Sequence, residues 1–224
     1  MSIFRVSLVC LIALVATPAL NAGIIYGTNN TTPLTFDGTS VDSDLQNGTQ
    51  FAIRFATPAA PAGLFYTLTG FAAALQNAFR ASPISVTAGV YTAVPRTPAT
   101  NPATQQPGLL LDSVTFNVLP GSAINVYTPI FAGGALLAAG TNYFLATRVN
   151  TTGGITQVDW AEALSGTQTV AVKSGSQPWV SFSGFENPAV QIYGDVFVAP
   201  EPSTLACAGI GILCALAARR KLSI

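Results

Sequence analysis

No histidine occurs in the 224 residues of this chain, and that removes more chemistry than any motif adds. Ser-His-Asp triads, Cys-His pairs and most zinc sites all need an imidazole. The three cysteines, Cys10, Cys207 and Cys214, lie inside two strongly apolar segments near the ends. The body between those segments therefore has neither a thiol nucleophile nor a disulfide. A glycosidase would need two facing carboxylates. The nearest pair, Asp159 and Glu162, is spaced so that a strand would send the two side chains to opposite faces. Their simpler role is as solvated charges beside Trp160. Gly209-Ile210-Gly211 is no phosphate loop, because no strand precedes it. A non-enzymatic protein is expected.

Two constellations could still bind something. Asp37, Asp42 and Asp44 crowd a turn-prone stretch rich in hydroxyls, and hard oxygen ligands at that density could hold Ca²⁺. Their spacing is not that of an EF-hand, and a solvated acidic loop is the simpler account, so no cofactor is expected. Trp160, Trp179 and Tyr193 could stack on sugar rings. The competing role for such rings in a small β protein is to fill the core or seal a sheet edge.

The elements that must position these residues have a period of two. Phe51, Ile53 and Phe55 alternate with small or polar residues, as do Ile84, Val86, Ala88 and Val90. Val114, Phe116 and Val118 repeat the pattern, followed by Tyr143, Leu145, Thr147 and Val149. Val170 with Val172, Val180 with Phe182, and Val190, Ile192, Val196 and Val198 complete it. Short alternating runs of this kind are strands with one buried face. Gly121-Ser122, Gly133-Gly134, Gly153-Gly154, Ser165-Gly166 and Gly175-Ser176 read as the turns between them. Only Gly70 to Arg80 is ambiguous. Phe71, Ala74, Leu75 and Ala78 fit one face of a helix, whereas Leu64, Tyr66 and Leu68 just before them alternate as a strand. Pro95 to Gly108 carries four prolines and reads as a surface loop outside any ladder. About ten strands without a disulfide need two packed layers, so the expected fold is an all-β, two-sheet antiparallel β-sandwich of jelly-roll type. It occupies residues 23–198, just under 180 residues and enough for one core.

The ends have a different composition. Arg5, the apolar run Val6 to Ala16 and a break at Pro18 read as a signal peptide over residues 1–22, cleaved after Ala22. At the other end Pro200-Glu201-Pro202 precedes fourteen uncharged residues, Leu205 to Ala218, and then Arg219-Arg220-Lys221. As a helix that run spans roughly 21 Å, less than the ~30 Å hydrocarbon core, which suits a transient, single short transmembrane helix. The basic cluster stays on the cytoplasmic side, acts as a stop-transfer signal and leaves everything before it outside. Pro200 and Pro202 keep Glu201 in extended, accessible chain. Between the ends, five basic residues face eight acidic ones, with no basic patch for nucleic acid.

This ordered tail, residues 199–224, resembles the PEP-CTERM sorting signal of bacterial surface proteins. The resemblance implies an exosortase-type membrane peptidase as partner, with Pro200, Glu201 and Pro202 as the sorting motif. It also implies transient residence in the inner membrane. The destination would be the surface or extracellular matrix of a Gram-negative cell, in a setting of exopolysaccharide and biofilm. The body is similar to the choice-of-anchor R type of surface domain. That similarity rests on Leu109-Leu110-Leu111-Asp112, Ala139-Gly140-Thr141-Asn142-Tyr143, Trp160, Pro178-Trp179 and Ile192-Tyr193-Gly194, and brings no catalytic residues with it. The function expected from the whole sequence is an exported structural or adhesive protein, with a carbohydrate-binding module as the alternative.

Overall fold

The computed structural model describes residues 23–28, 34–36, 40–41, 48–61, 63–78, 81–96, 105–150 and 157–198. The expected signal peptide, the sorting tail and Asp37, Asp42 and Asp44 lie outside the described residues. Twelve strands make up the fold: β1 (Gly23–Gly27), β2 (Ser40–Val41), β3 (Thr49–Ala56), β4 (Leu64–Asn77), β5 (Ile84–Pro95), β6 (Gln105–Val118), β7 (Gly121–Tyr127), β8 (Leu136–Ala138), β9 (Asn142–Val149), β10 (Asp159–Ser174), β11 (Val180–Pro188) and β12 (Val190–Val198). Every pairing among them is antiparallel. No helix occurs among the described residues.

The strands form two sheets joined through one shared strand. The first sheet is centred on β4, which pairs with β12 on one side and with β8 and β7 on the other, while β1 extends the β12 edge. The second runs β11-β10-β3-β9-β5-β6. β10 belongs to both. Asp159 and Trp160 pair with Gln76 and Leu75 of β4, whereas Val170 to Ser174 pair with Ile53 to Thr49 of β3. Ser165-Gly166, expected as a turn, therefore sits inside a strand. The register against β11 breaks between Glu162 and Thr167, so the chain bends there instead of reversing. Corners where a strand changes sheets are commonly made by such irregularities.

The alternation becomes burial. Phe51, Ile53, Phe55, Val86, Val90, Leu145 and Val170 from the second sheet meet Leu68, Phe71, Leu75, Trp160, Val190 and Ile192 from the first in one continuous core. Each sheet also has a smaller apolar cluster on its far side. Leu34, Phe36, Ile124 and Tyr193 gather over Ala72, Ala74 and Ala161 of the first sheet. Phe144, Ala52 and Ala171 pack with Tyr91, Ala93 and Trp179 on the second. The second sheet curls enough for its two edge strands to meet, because the Ser181 hydroxyl donates to the Gln105 carbonyl at 2.8 Å.

The ambiguous segment after Gly70 is strand. Pairing with β12 skips a residue, since Gly194 faces Leu68 while Tyr193 faces Gly70. One extra residue reverses the parity, so Tyr66 and Leu68 point into the core before it and Phe71, Ala73 and Leu75 after it. A strand whose parity flips mimics helical spacing in the sequence, and that is the source of the ambiguity. The proline-rich connection is also shorter than expected. β5 runs through Pro95, and Pro107 pairs with Ala93. β6 ends the strand order of the sheet, and an edge strand accepts proline because the N–H groups on its outer side have no ladder partner to lose. β1 and β7 leave little trace in the sequence, the first for its brevity and the second because its opening glycine resembles a turn.

Glycine is required where backbones cross closely. A Cβ on Gly70 would lie 2.8 Å from the Pro129 carbonyl oxygen, and one on Gly194 would lie 2.8 Å from that of Thr67. Neither neighbour can swing aside. Gly70→Ala and Gly194→Ala are each expected to cost about 1–3 kcal/mol. Urea denaturation should read this as a lower midpoint with an unchanged slope, and wild-type midpoints would contradict the close approach.

Candidate functional site: a polar cleft where β10 leaves β3

The departure of β10 from the second sheet leaves a gap. β3 is paired with β10 only from Thr49 to Ile53, yet it stays paired with β9 as far as Ala56. Arg54 to Ala56 therefore has one side without a partner strand. The Gln168 side chain spans part of that opening by donating its amide to the Arg54 carbonyl. What remains is a cleft of about 410 Å³, lined among others by Tyr26, Arg54, Asn142, Gln168, Thr169 and Asn187. That volume falls in the range of small-molecule sites.

Each wall has a local cause. Tyr26 comes from the edge strand β1 and is held by the Phe55 ring, with centroids 5.7 Å apart. Burial pushes its phenol above the usual tyrosine range, although Gln168 and the Arg54 charge pull the other way. The phenol therefore remains a neutral hydrogen-bond donor at physiological pH. Arg54 occupies the out-facing position between Ile53 and Phe55, so the pleat turns its guanidinium away from the core. Gln168 keeps its side-chain oxygen buried and without a hydrogen-bond partner. Gly184 adopts φ +76°, and the space its Cβ would fill is open. No acidic side chain is among the described residues lining the cleft. The set is rich in donors and holds one fixed positive charge. It suits a polar or anionic ligand.

The aromatic residues singled out from the sequence do not come together. Trp160 is completely buried and packs on Phe51 with ring centroids 6.2 Å apart, so it is core and cannot stack on a sugar. Its indole N–H has no hydrogen-bond partner. Trp179 is partly exposed on the far side of the second sheet, with the Lys173 ammonium 5.9 Å from its ring centroid. Tyr193 lies on the far side of the first sheet and donates to the Gln191 side-chain oxygen at 2.9 Å. Burial raises its phenol pKa. Asp159 is buried and accepts from the Gln157 amide at 2.8 Å, while Glu162 falls on the opposite face of the same strand. Among the described residues no three acidic, cysteine or histidine side chains gather into a metal site. Sequence reasoning missed the cleft because no motif marks it. Arg54 is the single cation in an otherwise uncharged run, and nothing ties it to Gln168, 114 residues later, before the sheets are known.

Residues 198–221 match the PEP-CTERM protein-sorting motif. Such a motif implies export and membrane-associated sorting in bacteria, and PEP-CTERM domains are recognised by exosortase, a membrane protein. No curated protein matches the chain.

The two tryptophans of the chain should separate cleanly by fluorescence. Trp160→Phe is expected to remove the blue-shifted emission that iodide cannot quench, and Trp179→Phe the quenchable part. Trp160→Ala should cost about 3–5 kcal/mol, as expected for a large buried aromatic residue. Ready quenching of the Trp160 signal would refute its burial.

Proposed function

We propose that this chain is a non-enzymatic structural or adhesive component of the bacterial cell surface or extracellular matrix, delivered there through its C-terminal sorting signal. The observation that carries the reading is the sorting-motif match at residues 198–221, joined to a body that is all-β. The absence of histidine from the whole chain, and of cysteine from the body, supports a role without catalysis. The expected setting is the exopolysaccharide or biofilm matrix of a Gram-negative cell. The similarity of the body to choice-of-anchor R domains agrees with display outside the cell. A second reading, a carbohydrate-binding module, is favoured by the donor-rich cleft at Arg54 and Gln168. Ca²⁺ plays no part in either reading. Added Ca²⁺ should leave the melting temperature unchanged, and a rise abolished by Asp42→Ala would overturn that.

The tail is proposed to act as a processing signal. Pro200-Glu201-Pro202 would be presented at the membrane surface while the short apolar span holds the substrate in the plane of the peptidase. Replacing Arg219, Arg220 and Lys221 by Ser should release precursor with its tail intact, because the stop-transfer charge is gone. Glu201→Ala should keep the orientation and slow processing, so that tail-bearing protein accumulates in the inner membrane. Mass spectrometry of the wild-type surface pool distinguishes a processed tail from a retained one. If most molecules keep Leu205 to Ala218, the tail is a lasting anchor and the proposal fails.

A further inference from the structure

We infer that the cleft at the β3–β10 divergence binds a carboxylate-bearing sugar unit, a uronic acid residue of an acidic polysaccharide. The inference deepens the carbohydrate-binding reading and rests on it. The cleft brings a guanidinium from Arg54 together with three carboxamides from Asn142, Gln168 and Asn187. Carboxamides both donate and accept, which matches the paired hydroxyls of a sugar ring. The guanidinium adds a planar fork that fits a carboxylate with two parallel hydrogen bonds.

Further observations point to an occupant of this kind. Arg54 brings a positive charge to the cleft, and no acidic side chain is among the described residues that line it. The open space over Gly184 lets a ring approach the backbone where any other residue would project a side chain. The phenol of Tyr26, neutral like any tyrosine at physiological pH, supplies a donor that does not repel the carboxylate. The cleft volume of about 410 Å³ suits one or two sugar rings rather than a long chain laid flat.

The test uses the full chain in mild detergent, with trigalacturonate, its neutral counterpart α-1,4-galactotriose, and acetate as a carboxylate without a ring. Isothermal titration should find trigalacturonate bound about tenfold or more tighter than the galactotriose, the scale of one charge-assisted bond. Arg54→Gln should abolish that preference, and Asn142→Ala should weaken both trisaccharides while sparing the preference. Near-UV circular dichroism reports the fold of each variant, and Asn142→Ala together with the wild-type preference carries the test if Arg54→Gln misfolds. Equal binding of the two trisaccharides, or a preference that survives Arg54→Gln, would overturn the inference and leave carbohydrate binding standing. Acetate competing as well as trigalacturonate would reduce the site to a plain anion site and overturn it too. Binding of neither trisaccharide would refute both the inference and the reading beneath it.

Discussion

A strand of sixteen residues that must satisfy two sheets cannot be straight, and β10 carries that constraint for the whole fold. Its first residues complete the first sheet against β4, and its last five lie along β3 in the second. Between them it has to turn through the angle that separates the layers. Trp160 stands at the start of that turn with its ring in the core against Phe51, so the largest fully buried side chain marks where the crossing begins. Without a disulfide in the body, such apolar contacts are what hold the two layers in register. The same crossing opens the cleft. The edge of β3 that β10 abandons is lined by polar residues because solvent, not a strand, comes next.

Much of this is legible in the residues. The runs at Phe51, Ile84, Tyr143 and Val190 are legible because alternate residues of each point into the shared core, even where Ala52, Phe144 and Gln191 on the other face are buried too. Legibility ends where the backbone departs from that period. At Gly70 an extra residue reverses parity and imitates a helix, and at Ser165-Gly166 a bend inside β10 imitates a turn. In both places the deciding partner is a strand far away in sequence, which no local window contains. Trp160 and Trp179 illustrate the same limit. Two identical side chains have opposite fates, one fixed by the corner of β10 and the other by the outer face of the second sheet.

The functional signals divide in the same way. The tail is readable because its motif is one contiguous run, so its meaning lies in order and spacing alone. The cleft is a product of topology. It joins Tyr26 from the first strand to Arg54 and Asn142 in the middle of the chain and Gln168 near its end. Sorting information is linear, while the cleft is assembled only on folding. The two halves can therefore change independently, because few residues serve both.

The placement of β12 has a mechanical consequence. Its last residue, Val198, is where the sorting motif begins, so any pull on the tail enters the body there. The load then runs along a strand held to β4 by nine register pairs and flanked by β1 on its other side. A force directed along the strand would load those pairs together in shear, whereas one directed across it would peel them one at a time. Resistance to such a force is governed by the rate of unfolding rather than by equilibrium stability. Gly194, pressed against the Thr67 carbonyl, lies midway along that loaded strand and helps keep its two neighbours in step.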